Sequence, residues 1–339
     1  MKFLRKQNPT ILQWLRKNLF NTWYNSILTV ICLLLLVFAI KGILTWVFVI
    51  AQWKVIKVNL ALFLVGRYPQ DLYWRLWLAL CIILGLTGVS WLTFAKRLPP
   101  KINTWLPFGW ALSFPIILWL IGGSLGLQPV DSNLWNGLLL TLITSIFGIV
   151  LSFPLGVLLA LGRQSQLPVI RWLSILYIEI VRGLPLIGIL FLAQVMIPLF
   201  LPPEIRLDRV LRGIAGLILF SAAYLAENVR GGLQSIPRGQ YEAAKALGFN
   251  ALYTMLLIIL PQALRAVIPP LVGQFIGLFK DTSLLAIVGL LELTGIARSI
   301  LAQPEFLNRY AEVYLFVGLI YWVFCYSMSL ASRKLEKEL

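Results

Sequence analysis

The charged residues of this 339-residue chain fall in narrow bands, and between the bands lie runs of about 20 apolar residues, again and again. An α-helix rises about 1.5 Å per residue, so each run matches the roughly 30 Å hydrocarbon core of a bilayer. Eight such runs are read as spans: residues 18–40 (interrupted by Lys41 and continuing to 53), 76–95, 102–130, 132–162, 183–203, 213–226, 266–291 and 313–332. The sixth is short. The seventh is broken at Lys280-Asp281, and Gly148, Pro154 and Gly156 lie inside the fourth. A soluble fold could not hide this surface: 60% of residues are hydrophobic and 12% are charged, against roughly 45–50% and about 25% in soluble domains.

The fold class expected is therefore all-α and polytopic, with about eight transmembrane helices. Lys and Arg favour the inside of a membrane. Placing the N-terminus inside puts Lys2, Arg5, Lys6, Arg16 and Lys17 there, with Lys96, Arg97 and Lys101, then Arg163, Arg171 and Arg182, then Arg230, Arg238, Lys245 and Arg265, and finally Arg333, Lys334 and Lys337. Both termini are thus expected on the inside. The first outside loop, with Lys54, Lys57, Arg67 and Arg75, is the exception. Residues 246–264 are also charge-free, but they open on a Gly-Phe-Asn turn and soon reach Pro261. A span there would invert the chain after it, so the segment is read as an inside loop with an interfacial helix.

Several function classes drop out. The net charge of +16 would point to nucleic acid in a soluble chain. Here the basic residues flank apolar runs and suit anionic lipid headgroups, so membrane lipid is the expected partner and nucleic acid is not. Histidine is absent, and Cys32, Cys81 and Cys325 lack ligand spacing, so no metal site and no Ser-His or Cys-His catalysis is expected. No catalytic residue and no bound cofactor is assigned to this chain. The basic N-terminus lacks an A-x-A-like cleavage site and reads as a retained anchor.

The segment after the sixth run is built differently from the rest. Pro237 and Gly239 end what precedes them, and residues 240–247 then form a two-turn helix with Glu242 in its first turn, opposite the positive end of the dipole. Ala243, Ala244 and Ala246 give it small side chains that let another protein's groove come close. Gly248 suits the left-handed residue that stops a helix. A second amphipathic stretch, 251–260, ends at Pro261. A short, small-sided helix on a rigid turn suits docking into a partner's cleft.

This pattern resembles a known family. Glu242-Ala243-Ala244, three residues, Gly248, nine residues, then Ile258, Leu260 and Pro261 match the EAA signature of ABC importer permeases. The segments Glu179 to Leu186, Lys280 to Leu284 with Glu292-Leu293-Thr294, and Ala226 to Gly232 resemble the polar amino-acid branch, with Leu184 where that branch carries a small polar residue. Gly66 to Pro69 and Trp74-Arg75 are similar to the M-type permease of general L-amino-acid importers. The resemblance implies a five-helix type I ABC importer permease core (MetI-like) at 131–339, preceded by an extension of three helices at 1–130. It implies a coupling helix around 237–249 held by a cytoplasmic ABC ATPase dimer, with Tyr241, Glu242, Ala243, Ala244, Lys245, Ala246, Leu247, Gly248 and Pro261 as ATPase-coupling residues. It also implies a second permease subunit, homologous or identical, and a periplasmic amino-acid-binding protein in a bacterial inner membrane. ATP and Mg would be bound by the partner ATPase, since Gly-Lys never occurs and no Walker A pattern exists.

Charges inside a membrane mark either helix contacts or the transport path. Glu179 and Arg182 share a helix face and are expected to pair, structurally or as a gate near the inner mouth. Glu227, Lys280, Asp281, Thr282 and Ser283 are the further path candidates, because a zwitterionic amino acid needs a cation and an acceptor. Lys41 is expected to snorkel. The rival readings are an ion-coupled secondary transporter or channel, and a membrane enzyme. The coupling-loop match and the missing inverted repeat argue against the first; the missing histidine and nucleophile–base set argue against the second.

Overall fold

The computed structural model describes residues 11–94, 97–99, 101–202, 204–205 and 207–338. Lys2, Arg5, Lys6 and Lys96, and the expected helix limits at 95 and 203, lie outside them. The chain divides into two compact units, Met1–Lys54 and Val55–Leu339. The first holds α1 (Ile11–Asn18) and α2 (Trp23–Thr45), the latter continuing through a π turn to Ile50. Thr22 caps α2 by accepting from the Asn25 amide at 3.4 Å. Trp23 to Ile50 is long and apolar enough to cross a bilayer.

The second unit contains α3 (Lys54–Val65), α4 (Tyr73–Phe94), α5 (Lys101–Gly122), α6 (Gly137–Arg163), α7 (Pro168–Gly183), α8 (Leu186–Phe191) and α9 (Ile197–Phe200). It continues with α10 (Arg209–Ser235), α11 (Arg238–Ala246), α12 (Ala251–Tyr253), α13 (Leu260–Ala266), α14 (Ile268–Asp281), α15 (Leu293–Leu301) and α16 (Tyr310–Glu338). No strand occurs among the described residues; one isolated bridge joins Gly137 to Glu292. Among the described residues six helices are long and apolar enough to span, and up to eight spans result if two bent pairs each count as one.

That upper count equals the eight runs read from the sequence, but the boundaries shift for physical reasons. The sixth span is not short: α10 runs 27 residues because its charges sit inside the helix and are paired. The fifth begins at Pro168, not 183, and turns by 106° between Pro168–Gly183 and Leu186–Phe200, where Pro185 follows Leu184 and forbids a continuous helix. The third keeps to the first two-thirds of its run, as expected, and ends at Gly122, where Gly123 takes a left-handed φ of +64°. The helix expected as interfacial is present as Ala251–Ala266. It meets Ile268–Ala286 at a 64° bend, just before Pro269-Pro270.

Helix α6 lies closest to α10. Lipid is as apolar as leucine, so helix association in a membrane depends on close approach, which small residues permit. Buried Gly148, Ser152, Gly156 and Ala160 recur every fourth residue and form one stripe down α6. A Cβ added at Gly156 would lie 2.6 Å from Leu225 Cβ and 3.1 Å from the Ala222 carbonyl. At one end, Leu140, Ile143, Leu190, Val210 and Leu217 form a buried cluster; at the other, Ala160, Ile178, Val229, Ile259 and Ala263 form another. A third joins Val55 and Phe63 of α3 to α15 and α16 through Ile296, Ile300 and Val313. Residues 55–130, expected in the extension of residues 1–130, therefore pack directly against elements of 131–339.

Gly156→Val should wedge α6 from α10 and cost about 1–3 kcal/mol. A fall in the thermal unfolding midpoint in detergent, larger than for Gly85→Val, where an added Cβ meets nothing within 4 Å, is the expected outcome.

Candidate functional site

Helix α10 ends at Ser235, and Pro237 in extended conformation (φ −59°, ψ 140°) turns the chain into α11. The helix starts at Arg238, two residues earlier than expected. This moves Glu242 out of the first turn, which holds no acidic residue. Its C-terminus closes as a Schellman motif: the Phe249 amide donates to the Ala244 carbonyl at 3.1 Å and Gly248 to Lys245 at 3.0 Å. Gly248 takes φ +82°, as the sequence required. Asn250 then caps the following helix by accepting from the Tyr253 amide at 2.9 Å.

That following helix braces α11 from behind. Ala244 is buried, at 2% exposure, and Tyr241 packs against the buried cluster to which Ile259 and Ala263 belong. Of the alanines expected to receive a partner, Ala244 is therefore committed to this chain, while Ala243, Ala246, Glu242, Lys245 and Leu247 remain exposed. Pro261 has no amide to donate, and the turn before it widens into a π-helix, Thr254 to Ile259. Gln262 bonds the Ile258 carbonyl at 2.7 Å and Gln240 of α11 at 3.2 Å. A Cβ added at Gly232 would lie 2.6 Å from the Ala263 carbonyl. So α10 meets the 251–266 helix at backbone range, and α11 is tied to that helix by side chains.

Just above lies a charge network. Glu227 of α10 accepts from Arg163 at 2.8 Å and from Arg230 at 2.8 and 3.0 Å, and Arg182 stands 3.4 Å away. Arg163 also reaches Glu179 at 3.0 Å, and Arg230 reaches Gln234 at 2.9 Å. The expected pairing of Glu179 with Arg182 gives way to these cross-helix contacts, since α6 and α10 present better partners to each. Arg182 lies 5.7 Å from the Tyr224 ring, and the Tyr177 hydroxyl donates to the Leu219 carbonyl at 2.7 Å. The network thus fastens α6, α7 and α10 directly before the α7–α8 turn.

Lys280, Asp281, Thr282 and Ser283 do not join Glu227. They form the junction where α14 passes into a 3-10 turn, Thr282 to Ala286. Lys280 is exposed, Asp281 and Ser283 are half-buried, and Thr282 is buried. Thr282 donates to the Phe279 carbonyl at 2.7 Å and lies 3.5 Å from the Tyr321 hydroxyl. Behind it sits Glu292, with no exposed surface. Its carboxylate accepts from the Thr294 and Gly295 amides, both at 2.9 Å, and from Tyr321 at 3.1 Å. Thr141 of α6 stands at 3.4 Å and accepts the Leu293 amide at 3.1 Å. Sequence reasoning did not place Glu292, Arg163 or Arg230 in the site. A carboxylate inside the apolar run 284–293 marked the first; the two arginines had been counted as loop charges.

Residues 152–339 match the family described as binding-protein-dependent transport system inner membrane component. The chain belongs to that family: it is a multi-pass permease subunit of an ABC transport system. Such subunits work with an ATPase, another permease and a binding protein. The chain is 44% identical over 342 residues to the inner membrane amino-acid ABC transporter permease protein YhdY of Escherichia coli strain K12, covering 96% of this chain and 92% of the relative. It is 36% identical to the glutamate/glutamine/aspartate/asparagine transport system permease protein BztC of Rhodobacter capsulatus, covering 97% and 93%. The probable glutamine permease GlnP of Bacillus subtilis is 39% identical but covers 60% of this chain and 92% of itself. A crystal structure of an amino acid ABC transporter with histidines aligns with a TM-score of 0.54 at 30% identity, over 60% of this chain and 92% of that one.

Glu227→Gln should leave three guanidiniums facing Glu179 alone. With a side chain 15% exposed, the loss of these charge-assisted bonds should cost about 1.5–3 kcal/mol. Glu179→Gln, at a carboxylate 56% exposed, should lower the unfolding midpoint less.

Proposed function

We propose that this chain is the amino-acid-conducting permease of an ATP-driven importer. Its core lies at 131–339, with 1–130 as an added helical extension. The observation that carries the reading is α11: a short helix closed by Gly248, braced by its own chain on one side and open on the other. Glu242, Ala243, Lys245, Ala246 and Leu247 form the side that meets the cytoplasmic ATPase dimer, while Tyr241, Ala244 and Pro261 hold the helix rigid against the body. ATP and Mg2+ are held by those ATPase subunits. The names of the relatives supply the cargo class, amino acids. A periplasmic amino-acid-binding protein delivers the cargo, and a second permease completes the path.

The mechanism follows from rigid contacts. ATP binding closes the ATPase dimer and displaces α11. Because Gly232 meets the Ala263 backbone, α10 and the 251–266 helix are carried along. The displacement reaches Glu227, whose contact to Arg182 at 3.4 Å is the longest of its three ion pairs. Arg182 ends α7 at the 106° turn, so Glu179, Arg182 and Glu227 act as the gate at the inner mouth. Lys280, Asp281 and Ser283 supply cation and acceptor groups for the zwitterion, while buried Thr282 fixes the turn that presents them. The N- and C-termini face the cytoplasm. Arg75, the awkward charge of the first outside loop, is 2% exposed and donates to the Gln128 carbonyl at 2.8 Å, so it is removed from the loop's free charge.

Uptake of labelled amino acids into proteoliposomes holding this chain, its ATPase, a second permease and the binding protein tests the reading. Transport should require ATP and fall at least about tenfold in Gly248→Val, a β-branched residue that resists the positive φ. Membrane insertion should be unchanged. ATP-independent uptake, or indifference to Gly248, would favour the secondary transporter. A cysteine placed at Lys245 should react with an impermeant maleimide in inside-out vesicles and not in intact cells.

A further inference from the structure

The end of the second unit away from α11 is built jointly by the extension and the core. A Cβ on Gly66 would fall 2.2 Å from Asn136 Cβ, and one on Gly137 2.5 Å from the Phe63 carbonyl. The Tyr68 hydroxyl donates to the Ile121 carbonyl at 2.9 Å. Tyr68, Leu72, Ile121 and Val130 share one buried cluster with Leu140, Leu190 and Val210 of α6, α8 and α10. From this base rises the loop 123–130, fixed at several points. Trp119 donates to the Ser124 carbonyl at 2.6 Å, Arg75 to the Gln128 carbonyl at 2.8 Å, and the Val130 amide to the Gly122 carbonyl at 2.8 Å. Gly123, at φ +64°, lets the strands of the loop close: a Cβ there would lie 2.0 Å from the Gln128 carbonyl.

At the tip stands Leu125, with φ +49° and 93% of its surface exposed. Glycine or asparagine fits that backbone; a leucine resists it and gains no burial in this chain. An outlier held by a rigid loop is a pointer to function. The loop carries no charge. It lies outside the residues 152–339 that match the family, within the part of the chain that YhdY and BztC align with over nearly its whole length. The family's transport depends on a soluble binding protein, and on the proposed topology that protein must seat at this end.

We propose that the loop 123–130 is a docking post for the extracytoplasmic binding protein, with Leu125 entering an apolar recess on that protein and Arg75 acting as a positioning residue. The extension thereby widens the platform on which the delivered amino acid is handed over. This rests on the importer reading above.

The test titrates substrate-loaded amino-acid-binding protein of the same transporter onto the complete complex in nanodiscs and follows stimulated ATP hydrolysis. Leu125→Asp should raise the half-maximal concentration about tenfold, the size of one well-packed contact. Leu125→Gly should raise it severalfold while the unfolding midpoint stays or rises, because the backbone is relieved. Basal hydrolysis should not change. Leu125→Cys bearing a benzophenone should crosslink to the binding protein. Superimposable titrations, or crosslinks only to the second permease or to lipid, overturn the proposal while leaving the importer reading intact. A wild-type complex that the binding protein fails to stimulate overturns both.

Discussion

Everything in the second unit hangs on how closely α6 approaches α10. In lipid no hydrophobic force drives two helices together, so contact must come from shape. Gly156 provides it, leaving room for Ala222 and Leu225 of α10, while Gly148 of the same stripe admits Leu278 of α14. With the two helices in register, Arg163 at the end of α6 falls within 2.8 Å of Glu227 on α10. Thr141, near the start of α6, stands against the Glu292 carboxylate at the cap of α15. The polar contacts at the two ends are separated by about 22 residues of α6, or ~33 Å, and a common spine positions both.

The two carboxylates solve the same problem in different ways. A charge taken from water is costly unless it is paired or surrounded by donors. Glu227 is neutralised by guanidiniums from three segments and stays partly exposed, so its partners can be exchanged. Glu292 accepts two amides and a phenol and is sealed from solvent, which fixes the start of α15 beside α6 and α16. The first arrangement suits a moving part, the second a fixed joint. The arrangement of amides around Glu292 is that of a helix cap, a role usually taken by Asp, Asn, Ser or Thr.

The fold was legible because apolar runs and the bilayer thickness share one length scale. Gly248 was legible because few residues tolerate its backbone. The limits of α10 were not, because charge marks a helix end only when it is unpaired; Arg209, Arg212, Glu227 and Arg230 all lie within the helix. The Glu179 and Arg182 partners were misjudged because spacing along one helix says nothing of a neighbour across a packing contact. Ala244 was taken for a docking surface from its small side chain and its place in the EAA signature; the π turn before Pro261, which has no sequence period of its own, already occupies this face. Glu292 was quoted as part of a motif and missed as a joint, since its partners lie 151 residues back and 29 residues ahead.

The contacts of Gly66 with Asn136, and of Gly137 with the Phe63 carbonyl, carry a consequence for modularity. Permeases about two thirds of this length exist among the relatives, and a boundary near residue 130 looks like a natural seam for exchanging parts between long and short versions. The seam is false. Two glycines from opposite sides of it face backbone with no room for a methyl group, and α3 fills the space beside α15 and α16. A short core grafted in place of residues 131–339 would need glycine at both positions and a vacant groove for Phe63. From Val55 onward the described residues form one interlocked body, so residues 55–130 and the core would have to be exchanged together.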